Sequence, residues 1–105
     1  MLRSISQVSC IAGLFLLAAP AAQASDALAT KSNCMACHSK NTKVVGPAFK
    51  EIATKYANDK GATDKLVQKV KKGGSGVWGP MPMPPNAGLS DTDARALVVW
   101  ILQMK

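Results

Sequence analysis

Two thiols and an imidazole stand within five residues of this 105-residue chain, as Cys34-Met35-Ala36-Cys37-His38. A C-x-x-C-H run is the attachment sequence of a c-type haem. Each sulfur adds across one porphyrin vinyl group to form a thioether, and the adjacent imidazole binds iron from one face. Other chemistries use parts of this pattern. A thioredoxin-like dithiol wants a preceding strand and a βαβ pattern around it, and the flanking residues show neither. A closed zinc site wants four protein ligands, but beyond Cys34, Cys37 and His38 the chain offers only Cys10 and no other histidine. A plain disulfide would leave His38 without a role. Covalent haem uses all three side chains.

The second face of the iron needs a different residue. Because His38 is the sole histidine, a second imidazole is excluded within one chain, and methionine, cysteine thiolate and tyrosine remain. Both motif cysteines are consumed, and Tyr56 falls in an expected helix. Met1 belongs to a segment expected to be removed, Met35 lies inside the motif on the wrong face, and Met104 sits in the last turn of the terminal helix. Met81 and Met83 are left, in Gly79-Pro80-Met81-Pro82-Met83-Pro84-Pro85-Asn86. Prolines fix φ and stiffen this loop, which lowers the entropy cost of holding a weak thioether ligand in place. Both could instead be gap-fillers against the porphyrin. The residues alone do not choose between the two methionines.

These groups need elements to position them. Residues 1–24 carry the pattern of a secretory leader: Arg3, an apolar run from about Val8 to Ala19, and Ala22-Gln23-Ala24 as a small-x-small cleavage site. The run is shorter than the roughly 20 residues that a spanning helix needs. The expected product is a monohaem domain, residues 25–105, in the periplasm, an oxidising compartment. An 81-residue domain rarely builds enough core alone and needs a staple. A covalent haem is one, so the domain is expected to be largely unfolded without it.

Ser25-Asp26 marks a helix start, and the stretch to His38 has few breakers, so one helix is expected to run into the motif. A short helix follows at about Phe49 to Tyr56. Thr63 caps a third, with Leu66 and Val70 on one face and Gly73 at its end. Residues 73–88 are too rich in glycine and proline for a helix interior. Ser90 and Asp93 open a last helix whose Ala94, Leu97, Val98, Ile101 and Leu102 form an apolar stripe. No segment alternates like a strand. The fold class read from this is all-α, about four helices wrapped around one haem.

Charge is uneven along the chain. From Ser25 onward there are 12 Lys plus Arg against 6 Asp plus Glu, a net +6, and residues 26–72 hold all of that excess. A lysine-rich half beside a Pro/Met/Val-lined haem edge suits steered encounters with acidic redox proteins. The plainer reading of the lysines is a solvated face. Nucleic-acid binding does not suit an exported chain whose lysines are spread rather than clustered.

Several runs together carry a family resemblance. Gly76-Val77-Trp78-Gly79-Pro80, then Pro82-Met83-Pro84-Pro85-Asn86, the Thr42-Lys43-Val44-Val45-Gly46-Pro47-Ala48 stretch and the closing Trp100-Ile101-Leu102 resemble the small bacterial class I cytochromes c, the c-551/c-552 group. The likeness covers essentially all of residues 25–105. It implies that Met83 is the axial methionine and that Met81 is packing. It implies too that the Pro47 carbonyl accepts from the outer nitrogen of His38, that Trp78 and Lys69 meet a haem propionate, and that Asn86 approaches the Met83 sulfur. Lys69 stands where the group often has arginine, so a looser propionate contact is expected.

A His/Met iron has no open position, and methionine raises its potential. The function expected is therefore a periplasmic one-electron carrier, not an enzyme, with one haem c held by Cys34 and Cys37. The expected partners are acidic redox proteins: a terminal oxidase, a nitrite reductase or another carrier. A monomer without stable membrane insertion is expected. The alternative is a ligand-binding or peroxidase-like haem protein with a labile sixth ligand. That chemistry wants a distal acid–base residue, and no second histidine exists and no arginine lies near the methionine loop.

Overall fold

The computed structural model describes residues 12, 13 and 24–105; the leader expected over residues 1–24 lies outside the described residues apart from these three positions. Helix α1 spans Asp26–Lys31. Ser25 caps it, its Oγ accepting from the Leu28 N–H at 3.3 Å. Asp26 and Lys31 lie at the ends that suit their charges. The helix does not continue to His38 as the sequence suggested. Asn33 adopts φ +62, and asparagine is among the few side chains that tolerate this left-handed region. The chain breaks there and restarts as a single 3₁₀ turn, Cys34–Ala36.

Helix α2, Phe49–Lys55, has no side-chain cap. Its first amides are met by backbone instead: Phe49 N–H donates to Ser39 O at 2.9 Å and Lys50 N–H to Lys40 O at 3.1 Å. Helix α3, Ala62–Lys72, begins just before the expected cap at Thr63. Asp59 explains the shift, because its carboxylate accepts from Gly61 N–H at 2.8 Å and from Lys65 Nζ at 2.8 Å. The Lys65 hydrogen bond, then that from Gly61, hold the Asp59 carboxyl below its ordinary range. Helix α4, Asp91–Leu102, starts at Ser90, whose Oγ accepts from Asp93 N–H at 3.1 Å.

One element was not foreseen. Gly74–Gly76 (β1) and Gly79–Met83 (β2) pair as an antiparallel hairpin, with Gly74 opposite Met83 and Gly76 opposite Gly79. A Gly-Ser-Gly strand carries no alternating pattern, and the partner's Pro80 and Pro82 lack donors, which confines it to an edge position. The architecture is otherwise helical.

Helix α4 joins two parts of the core. Ile101 packs with Phe49 and Ile52 of α2, while Ala94 and Val98 pack with Val67 of α3. Leu97, Val98 and Phe49 are the largest fully buried side chains. The apolar stripe read from the sequence is the buried face of α4, with Leu102 at its margin. No described helix is long and apolar enough to cross a membrane.

Replacing Leu97 by Ala should cost about 2–5 kcal/mol, a buried leucine's transfer term plus its cavity. Val99 is 40% exposed, so Val99→Ala should stay within about 0.5 kcal/mol. Urea unfolding of the haem-loaded variants checks both.

Candidate functional site

The 3₁₀ turn sets the motif's shape. Cys37 N–H and His38 N–H both donate to Cys34 O, at 3.3 and 3.0 Å, closing one turn around the two thiols and the imidazole. The next segment folds back over it. Val45 N–H and Gly46 N–H donate to Cys37 O at 3.2 and 2.8 Å, which brings the Pro47 carbonyl to 2.7 Å from His38 Nδ1. A carbonyl only accepts, so Nδ1 carries a proton, and in the neutral imidazole the lone pair is then on Nε2. Phe49 stacks on the imidazole at 5.3 Å between centroids, 25° from parallel.

Cys34, Cys37 and His38 line a cleft of about 1180 Å³, counted out to its open mouth. Ile52, Val98 and Ile101 belong to its lining, and so do Met81 and Met83. Val45, Val77, Trp78 and Met81, also among its lining, are each more than 40% exposed. Among the described residues no Asp, Glu or Arg lines the cleft. Apolar surface of this extent is costly in water and calls for a large apolar occupant. An imidazole lone pair, two thiols and a thioether on one apolar cleft fit a porphyrin bound through both sulfurs.

Burial pushes the Cys34 thiol above its ordinary value, outweighing a backbone hydrogen bond that lowers it. A reactive redox dithiol needs the opposite shift. The two thiols are not bonded to each other.

The two candidate methionines stand two residues apart on β2, which puts them on one face of the strand, and both line the cleft. Met81 is 64% exposed, and Met83 is half-buried. Met35 and Met104 pack instead on the Phe49–Ile52–Ile101 cluster and do not line the cleft. Lys69 and Trp78 both line it. Asn86 does two things: its backbone N–H donates to Val70 O at 3.0 Å, and its Nδ2 donates to Ser32 O at 2.9 Å. The methionine loop is thereby tied to α3 and to the residues just before Cys34.

Sequence reasoning passed over three participants. Lys55 Nζ lies 5.5 Å over the Trp78 ring, a pairing between residues 23 positions apart that no local pattern signals. Ser32 enters through its carbonyl, which every residue has. Gly46 was visible only as part of a quoted run, and its closeness to His38 emerges from the folded loop.

The family model described as Cytochrome c matches residues 22–105. The chain belongs to the cytochrome c family. It is 58% identical over 90 residues to cytochrome c-552 of Nitrosomonas europaea, covering 86% of this chain and 87% of that protein. With cytochrome c-551 of Pseudomonas aeruginosa it shares 49% identity over 80 residues, 76% of each chain. The crystal structure of wild-type Nitrosomonas europaea cytochrome c552 superposes with a TM-score of 0.74 at 57% identity, over 77% of this chain and all of that one. The fold is that of the class I cytochromes c, helical with a small hairpin. This cytochrome is a small haem electron carrier with one covalently bound haem c.

Proposed function

We propose that this cytochrome is a periplasmic one-electron carrier in which His38 and Met83 are the axial iron ligands and Cys34 and Cys37 the thioether anchors. The observation that carries the reading is the 2.7 Å bond from His38 Nδ1 to Pro47 O, in a cleft that Met83 also lines. On this reading residues 1–24 are a removed leader and residues 25–105 the working domain. When bound, the haem supplies a couple between Fe(III) and Fe(II).

The chain's own residues tune and guard that couple. The Pro47 bond fixes the imidazole ring and raises the basicity of Nε2 toward a metal. Pro82, Pro84 and Pro85 restrict the backbone around Met83, so a weak ligand stays seated. With His38 and Met83 both on the iron, no position would be open for oxygen or substrate, and the methionine would raise the potential. That coordination, and a cleft lined among the described residues by no carboxylate, arginine or second histidine, favour electron transfer over the peroxidase-like alternative. Trp78 N–H and the Lys69 ammonium are suited to a propionate, with lysine acting as a point charge rather than a fork. Lys55 over the indole face adds a cation–π contact that steadies Trp78. Asn86 acts on Met83 by anchoring the loop.

Charge supports docking by acidic redox proteins. Asp26, Asp59, Asp64 and Asp91 pair with Lys40, Lys65, Arg95 and Lys71. Lys43 and Lys69 line the cleft and take no carboxylate partner among the described residues. Two of the cations without a carboxylate partner thus lie at the cleft, where a redox protein would approach the haem edge. A terminal oxidase, a nitrite reductase or another carrier would each suit it, through a small and short-lived interface.

In the ferric protein, Met83→Ala should abolish the weak red sulfur-to-iron charge-transfer band and lower the potential, whereas Met81→Ala should keep both. The reverse pattern would assign the ligand to Met81. Electron-transfer rates with the physiological partner should fall as ionic strength rises past about 0.1 M, where the screening length is roughly 10 Å. Rates insensitive to salt would remove the electrostatic part of the account.

A further inference from the structure

Two glycines leave no room for a side chain, and each abuts one of the two ligand-bearing segments. A Cβ built on Gly46 would lie 2.5 Å from His38 Cε1, 2.9 Å from Nδ1 and 3.1 Å from Nε2. The ring is not free to yield, since Nδ1 is bonded to Pro47 O and Phe49 is stacked on it. Nor is the loop, because Val45 and Gly46 both donate to Cys37 O. Gly46 does not have a positive φ, so its requirement for glycine is one of contact, not backbone strain.

Gly73 stands at the other ligand. It ends α3 with φ +70, its N–H donating to Lys69 O at 2.7 Å. A Cβ there would clash with Met83 O and lie 2.8 Å from Pro85 N and 2.9 Å from Pro84 C. All three are backbone atoms, two of them in prolines, and cannot rotate aside. Gly76 makes a useful contrast, with φ +106 and nothing within 4 Å of its built Cβ. It shares the backbone demand of Gly73 without the contact.

We infer that Gly46 and Gly73 are positioning residues for the axial ligands. The bare Cα of Gly46 sets how the imidazole of His38 is seated, and that of Gly73 sets how closely the Met83 loop approaches α3. This inference rests on the His38/Met83 ligation proposed above. Its physical content is that ligand geometry is fixed from outside the coordination shell by excluded volume as well as by hydrogen bonds.

The test uses the haem-loaded ferric protein and reads the two faces of the iron separately. Gly46→Ala should shift the hyperfine-displaced proton signals of the His38 ring and leave the sulfur-to-iron band in place. Gly73→Ala should weaken that band and tighten binding of added imidazole at the iron by about tenfold or more, the scale on which outer-shell changes alter metal affinity. Gly76→Ala should do neither. Where Gly46→Ala does not accumulate, Gly46→Ala/Phe49→Leu gives the ring room to recede and is read against Phe49→Leu. Gly73→Ala/Pro85→Ala, read against Pro85→Ala, serves in the same way. Ring signals, band and imidazole affinity unchanged in the glycine variants, with only the unfolding midpoint lowered, would overturn the inference. So would equal effects at Gly76. Failure of the ligation reading itself is separate, because it would show as a band that survives Met83→Ala.

Discussion

The structure depends on one apolar cleft, lined by the Cys34–His38 turn, the β1–β2 hairpin and residues of α2, α3 and α4. Among the described residues only Phe49, Leu97 and Val98 are large and fully buried, which is a small core. Around the cleft, Val45, Val77, Trp78 and Met81 remain substantially exposed. Burying such surface is worth roughly 25 cal/mol per Å², and the covalent haem is what makes it available.

The same constraint serves electron transfer. A carrier works best when little moves as iron changes charge, and on the ligation proposed above each ligand would be restrained by more than its bond to the metal. His38 is held by Pro47 O and Phe49, and Met83 by flanking prolines and by the Asn86 ties to Val70 and Ser32. The excluded volume at Gly46 and Gly73 belongs to this set of restraints. Hydrogen bonds and close contacts thus converge on two side chains rather than being spread over the molecule.

Much of this was legible before folding. The C-x-x-C-H spacing announces its cofactor, because both sulfurs and the imidazole must reach one porphyrin. Ser25 and Ser90 declared their helices through local capping chemistry, and the stripe on α4 follows from its period. The break at Asn33 was not legible, since asparagine tolerates a left-handed backbone without demanding it. The β1–β2 hairpin was hidden because it pairs glycines with a proline-bearing strand and so shows no alternation. Lys55 on Trp78 joins residues 23 apart and the two glycine contacts join residues 8 to 12 apart, separations that no local pattern encodes. Site residues carried by a motif were readable; those that act by proximity were not.

The central claim is that the fold is organised around its covalent group, and removing that group tests it most directly. Far-ultraviolet circular dichroism of a haem-free Cys34→Ala/Cys37→Ala chain, compared with the loaded wild-type domain, reads the result. The account predicts a largely unfolded spectrum with no cooperative urea transition. A native-like helical spectrum with a cooperative transition would contradict it.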